Sequence, residues 1–202
     1  MENKLTFLGH ASFKIISALN TVIYIDPSFP CKGYQEEADL ILISHHHSDH
    51  DKTELVNKKP ECLILGPSDF IMNDKYLSRE FKDLKITAVA AYNKNHKKSE
   101  SIGFVLEFKD AKVYIAGDTS KTTEMADMAY LGIDYAFLPI DGFYNMDVKE
   151  AEKCIDIIKA KHFIPIHNDS RSSSDGKEYT THFDELTKDN VIIMHHGETI
   201  EI

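Results

Sequence analysis

Residues 39–43, Asp-Leu-Ile-Leu-Ile, run without a break into Ser44-His45-His46-His47-Ser48-Asp49-His50. The first segment is near-continuously apolar, the signature of a strand buried on both faces. In the second, His45, His47, Asp49 and His50 form the pattern HxHxDH. This junction constrains the fold more than any other feature, because a core strand has to end where several polar side chains converge. Imidazole nitrogen and carboxylate oxygen are donors that zinc and manganese accept. Two histidines one residue apart can face one ion in a turning loop, and the Asp-His pair that follows can face a second. A histidine-rich tag would sit at a terminus, whereas this run is internal. His46, between the paired histidines, is expected to stay out of the cluster.

Two later strand ends carry the same kind of residue. The apolar segment 112–115 leads into Ala116-Gly117-Asp118-Thr119. An acid there can bridge two cations about 3.5–4 Å apart and offset their repulsion. The competing reading is a simple turn, with Thr119 capping the helix that follows. Ile164-Pro165-Ile166-His167-Asn168 places a histidine directly after a buried strand. A hydrogen-bonded core histidine would look the same. Strand ends on one side of packed sheets can meet at a single site.

The remaining residues read as one domain, 1–202, with no low-complexity linker and no tandem repeat of a recognised period. Residues 5–8, 12–16 and 22–25 form a meander of strands. Further strands are expected at 39–43, 62–65, 85–91, 102–108, 112–116, 135–139, 163–166, 191–194 and 199–202. Helices are expected at 53–57 (weakly), 69–81, 121–131, 147–159 and 179–186. Asp147 and Glu150 suggest a capping box for the clearest of these, and Val148, Ala151, Ile155 and Ile158 give it an apolar face. Residues 169–176 read as a surface loop. Strands in antiparallel hairpins first and strands alternating with helices later suit an α/β arrangement, with two face-to-face sheets and helices outside.

The net charge of −10 repels a phosphate backbone, so broad nucleic-acid binding is disfavoured. Lys94, Lys97 and Lys98 read as a solvated loop face rather than an anion site. Residues 1–9 lack the pattern of a signal peptide, and no apolar run approaches the roughly 20 residues of a membrane span. Cys31, Cys62 and Cys154 lack CxxC spacing and read as free thiols in a reducing cytoplasm. A homo-oligomer stays open.

Together these residues resemble the metallo-β-lactamase fold superfamily, in particular small hydrolases related to ascorbate-phosphate lactonase. The resemblance covers nearly the whole chain. It starts with Leu8-Gly9-His10-Ala11-Ser12-Phe13 and Tyr24-Ile25-Asp26-Pro27. It runs through the histidine-rich loop and Gly117-Asp118-Thr119 to Leu138-Pro139-Ile140-Asp141-Gly142, Met146-Asp147 and Pro165-Ile166-His167. It implies a four-layer αββα sandwich with two divalent ions at one edge, zinc being the leading candidate for both and manganese the alternative. By the same resemblance His45 and His47 go to the first ion, while Asp49, His50 and His167 go to the second, with Asp118 bridging. The first ion also needs a histidine between the loop and Asp118, and His96 is the one in that interval. His10 and Asp26 are implied to lie near the site, where His10 could contact substrate and Asp26 could orient a ligand histidine. Packed or turn-forming roles for both stay open. Relatives often follow the last histidine with an aromatic residue and Gly, and here Asn168-Asp169-Ser170 follows instead.

The chemistry implied is hydrolysis of a small-molecule ester, lactone or phosphoester by a water activated between the ions, with Asp49 also available to orient it. A metal-dependent phosphodiesterase or RNA nuclease is the alternative, weakened by the acidic charge and by the lack of an RNA-clamping domain. A diiron redox relative would usually carry a carboxylate where His47 stands, together with a flavin domain. A non-catalytic metal-binding regulator is the remaining class.

Overall fold

The computed structural model describes residues 2–168 and 183–202. Two six-stranded sheets face each other. The first runs in the order β14-β1-β2-β3-β4-β5, with β1 Lys4–Gly9, β2 Ser12–Ile16, β3 Val22–Ile25, β4 Ala38–Leu42, β5 Lys58–Leu65 and β14 Thr199–Glu201. The second runs β13-β12-β11-β10-β9-β8, with β8 Ser78–Phe81, β9 Leu84–Ala90, β10 Ile102–Glu107, β11 Lys112–Ile115, β12 Tyr135–Pro139 and β13 His162–Ile166.

The main core lies between the sheets. Phe7, Phe13, Ile15, Leu40 and Leu42 of the first meet Ile86, Phe104, Ile115, Phe137 and Ile164 of the second. Alternate residues on the far face of the second sheet, such as Tyr114, Ala136 and Leu138, pack under helix α2, Val148–Ile158, and under the 3-10 helix Thr123–Tyr130. The far face of the first sheet is covered more thinly, by Tyr34 and Val56 beside the 3-10 turns Lys32–Tyr34 and Thr53–Leu55. The expected α/β sandwich is therefore present, with one helical layer reduced to turns among the described residues.

The two sheets repeat one topology. β1-β2-β3 pair antiparallel and β3-β4-β5 parallel; β9-β10-β11 pair antiparallel and β11-β12-β13 parallel. Asp26 after β3 thus has its counterpart in Asp118 after β11, and the loop after β4 has its counterpart in the Asp141 loop after β12. No repeat in the sequence announces this relation.

Several local expectations are corrected. Residues 69–81 are not a helix. One turn, α1 Pro67–Phe70, gives way to a hairpin of β6 Ile71–Met72 and β7 Lys75–Tyr76, and then to β8. Asn73 and Asp74 both have positive φ, 50° and 59°, the geometry of the two-residue turn that tight hairpins require. The helix expected at 121–131 is a 3-10 helix, Thr123–Tyr130, and the one expected at 53–57 is a 3-10 turn, Thr53–Leu55. Val191 makes an isolated bridge to Phe163, and 191–194 is not a strand. Of the expected helix 179–186, residues 183–185 form a 3-10 turn, while 179–182 and the loop 169–176 lie outside the described residues. Asp147 caps α2 by accepting from Glu150 N–H at 2.8 Å, but Glu150 turns away to Lys121 N–H, so the capping box is half made. The three cysteines are free. Among the described residues no helix is long and apolar enough to cross a membrane.

Candidate metal centre

The residues singled out in the sequence meet where the two sheets present their strand ends. His10 turns between β1 and β2, Asp26 follows β3, residues 44–50 follow β4, His96 lies between β9 and β10, Asp118 follows β11 and His167 follows β13. The backbone is forced to turn sharply there. His10, Asp26 and His167 have φ of 58°, 45° and 53°, a region that non-glycine residues seldom occupy. Gly117, at φ 63°, has no room for a side chain: a Cβ would stand 3.0 Å from both the Ile102 carbonyl oxygen and the Ser44 Cβ. That close approach brings Asp118 against the histidine loop.

The donor atoms cluster at consistent spacing. His47 Nδ1 lies 3.1 Å from His45 Nε2 and 3.2 Å from His96 Nε2. Asp118 Oδ1 is 3.4 Å from His50 Nε2, and Asp118 Oδ2 is 3.4 Å from both His96 Nε2 and His167 Nε2. His10 Nε2 is 3.2 Å from Asp49 Oδ2. Two donors each about 2.0–2.1 Å from one tetrahedral zinc ion are separated by about 3.3 Å. The observed distances are those of edges of coordination polyhedra, while imidazole nitrogens facing each other as nearest neighbours satisfy hydrogen bonding poorly. Two buried atoms of this cluster, His50 Nε2 and Asp118 Oδ1, have no hydrogen-bond partner among the described residues. A cation between them would resolve what is otherwise a costly pair of unmet polar atoms. The residues present therefore fit metal ions. Among the described residues, three overlapping donor sets can hold them: His45, His47 and His96; His45, His50 and Asp118; and His10, Asp49, His50 and His167.

Each inner histidine is oriented through its other ring nitrogen, as metal-ligating imidazoles require. Asp26, fully buried, accepts from Ser44 N–H at 2.7 Å and Ser44 O–H at 2.6 Å, and faces His50 Nδ1 at 3.0 Å. Asp141 Oδ2 lies 3.1 Å from His167 Nδ1, while its Oδ1 accepts from the N–H groups of Phe143 and Tyr144. Asn93 Oδ1 is 3.0 Å from His96 Nδ1 and accepts from the N–H groups of Asn95 and His96. Asn145 joins the last two supports, donating to Asp141 Oδ2 at 2.8 Å and accepting from Asn93 Nδ2 at 3.0 Å. The polar loop around His96 is thus pinned, and His96 is buried.

The charges are interlocked. Burial works against ionising Asp118, yet His167 and His50 hold its carboxyl well below the usual range. Burial equally opposes charging His50, but Asp118 and Asp26 keep it up at about 9. His167 is raised by Asp118 and Asp141 against the same opposition. His45 goes the other way, to about 2, through burial and the positive charge of His50. His96 is also lowered, again chiefly by burial. Burial opposes ionisation of Asp49, but His10 and His50 hold it down. The neutral histidines are ready donors, and the acids provide the negative charge that divalent ions need.

All nine residues marked in the sequence, His10, Asp26, His45, His47, Asp49, His50, His96, Asp118 and His167, come together. Asp26, for which the resemblance implied an orienting role, stands 3.0 Å from His50 Nδ1. The sequence reading missed Ser44, Asn93, Asp141 and Asn145. Asp141 had a usable signal, since it follows a strand end just as Asp118 does. His46 is exposed and points to Asp51, His162 stacks on Tyr135, and His195 and His196 lie on an exposed turn; His182 lies outside the described residues. Lys97 and Lys98 are paired with Glu100 and Glu124 at the surface.

Comparison with known proteins identifies the family. Residues 4–167 match the beta-lactamase superfamily domain. The chain belongs to that superfamily. Within it, the chain groups with the UPF0173 metal-dependent hydrolases: it is 31% identical to the member from Thermococcus onnurineus, covering 98% of this chain and 99% of that protein. Among solved structures, Igni18, a metallo hydrolase from Ignicoccus hospitalis, superposes with a TM-score of 0.73 at 22% identity, covering 100% of this chain and 99% of that one. CmlA, a diiron β-hydroxylase from Streptomyces venezuelae, gives a TM-score of 0.69 at 13% identity over 100% of this chain and 54% of that one. These two show the shared fold, and a fold that also carries a hydroxylase does not by itself fix the chemistry.

Proposed function

We propose that this chain hydrolyses a small ester, lactone or phosphoester with two divalent ions of one kind, zinc being the leading candidate and manganese the alternative. His45, His47 and His96 would hold one ion, Asp49, His50 and His167 the other, with Asp118 between them. The observation that carries this reading is the set of donor spacings between 3.1 and 3.4 Å around the two unpartnered atoms His50 Nε2 and Asp118 Oδ1. Bound ions supply Lewis acidity there, lowering the pKa of a water from 15.7 toward about 7 and polarising the substrate oxygen.

The chain's own residues do the rest. Asp118 balances the positive charge. Asp26, Asp141 and Asn93 hold the imidazoles in one tautomer and one orientation. Asp49, the partly exposed carboxylate of the cluster, can accept a proton from the attacking water. His47 also faces solvent, so the site opens on that side. A pocket of about 280 Å³ lies there, bordered by His45, His47, His96, Lys97, Glu100 and Ser101. That volume is at the small end of ligand sites and favours a metabolite over a polymer. The histidine at position 47 is a further argument for hydrolysis over diiron redox chemistry.

A panel of lactones, thioesters, phosphomonoesters and phosphodiesters, assayed with metal-loaded and chelator-stripped protein, tests the proposal. Metal-dependent turnover of one class supports it. Turnover that survives complete metal removal, or cleavage restricted to RNA, would replace it.

A further inference from the structure

We infer that His10 is a further protein ligand of the buried ion, beside Asp49, His50, His167 and the shared Asp118, so that the two metal sites are unequal: the inner one has one protein donor more than the outer one, which opens to substrate. The inference rests on the two-ion reading above and adds a ligand that the HxHxDH pattern does not contain.

The geometry points to this role from several directions. Donor atoms of His10, Asp49, His50 and His167 all lie within 4.8 Å of one another. His10 is fully buried. Its ring centroid is 3.9 Å from that of His167 and 5.4 Å from that of His50, and Phe29 covers it edge-on at 5.9 Å. Its carbonyl accepts from His167 N–H at 2.9 Å, which ties the two loops in register. The positive φ of 58° is the strained backbone that keeps the ring turned inward.

A plainer role would have His10 only orient Asp49 by a hydrogen bond. The direction of approach argues against it. Asp26, Asp141 and Asn93 each reach a ligand histidine through Nδ1, on the side away from the donor cluster. His10 instead brings Nε2 into the cluster, at the 3.2 Å from Asp49 Oδ2 that two ligands of one ion would show.

The consequence is a division of labour. An ion whose coordination positions are filled by protein donors behaves as a structural site, whereas a sparser set leaves a position for water or substrate. With Asp118 shared, the buried ion would have five protein donors: His10, Asp49, His50, His167 and Asp118. The outer ion would have four, His45, His47, His96 and Asp118, and among the described residues the 280 Å³ pocket borders its three histidines and none of His10, Asp49, His50 and His167. The buried ion is retained and the outer ion exchanges and meets substrate.

Full-length protein labelled with ¹⁵N-histidine and loaded with ¹¹³Cd provides a direct test by NMR. One-bond cadmium coupling at His10 Nε2, together with His50 and His167, is the expected result. Coupling at His50 and His167 with none at His10 overturns this inference and leaves the two-ion reading intact. No coupling at any histidine overturns both. In chelator competition with zinc, the His10→Asn variant should lose affinity for the retained ion by more than about 100-fold, since loss of an orienting partner costs only about 10–100-fold. A smaller loss, or an equal loss of both ions, would also overturn it.

Discussion

Replacing Asp26 by Asn isolates the orienting role from the ligand role. Asn tolerates the left-handed backbone at position 26, where φ is 45°, so the change is close to isosteric. Asp26 accepts from Ser44 N–H and Ser44 O–H and faces His50 Nδ1 at 3.0 Å, all with no exposure to water. An Asn side chain can keep the bond from Ser44 N–H, and the serine hydroxyl or the His50 ring must then meet an NH₂ donor. If His50 turns its Nδ1 lone pair to that donor, its proton moves to Nε2, the atom that faces Asp118 and would bind the ion. Affinity for the buried ion should fall about 10–100-fold, equivalent to about 1.4–2.7 kcal/mol. Apo-protein stability should fall by about 1.5–3 kcal/mol for the lost charge-assisted bond. Competition with a chromophoric chelator measures the first quantity, and urea unfolding of the stripped protein measures the second. A variant that binds both ions as tightly as the unaltered protein would refute the view that Asp26 sets the tautomer of His50.

Asp118→Asn should leave the chain folded, by circular dichroism, but lower bound metal and abolish most hydrolysis, because an amide neutralises two cations poorly; unchanged metal content would make Asp118 a turn residue. Asp39, nearly buried and paired with Lys59 and Lys82, has its carboxyl lowered to about 2 against the opposition of burial. A depressed carboxyl stabilises the fold above its unfolded value of 3.8, and the contribution is lost as pH falls from there through about 2. Asp39→Asn should therefore cost about 1–2 kcal/mol at pH 7, after allowing for the partly exposed lysines, with the difference shrinking below pH 4 in denaturant titrations. Gly103→Ala would put a Cβ 2.9 Å from the carbonyl oxygens of Ile115 and Ala116, and should lower stability by about 1–3 kcal/mol in urea unfolding, with no smaller loss when metal is removed.

The strand ends were legible because buried strands leave apolar runs, and the ligand-type residues stand directly after them. His45, His50, Asp118 and His167 could be placed by that logic alone, whereas His96 needed the family resemblance. Its own surroundings, Lys94, Asn95 and Lys97, look like solvent. The reason it is buried is Asn93, whose side-chain oxygen folds the loop back on itself, and Asn145, which comes from a loop some fifty residues away. Contacts of that separation leave no periodic trace. The hairpin at 71–76 escapes the pattern for a related reason: Asn73-Asp74 falls inside the span 69–81 expected as a helix, although both residues tolerate the positive φ of a tight turn. The likeness of β1–β5 to β9–β13 was invisible because a shared pairing order does not require shared residues.

The central claim is a pair of ions in one cluster, and counting them tests it most directly. Protein stripped with a chelator, reloaded with zinc or manganese and freed of unbound metal should contain about two ions per chain by elemental analysis. Its hydrolytic activity should return with that loading. A chain that takes up no ion, or saturates at one with full activity, would contradict the account.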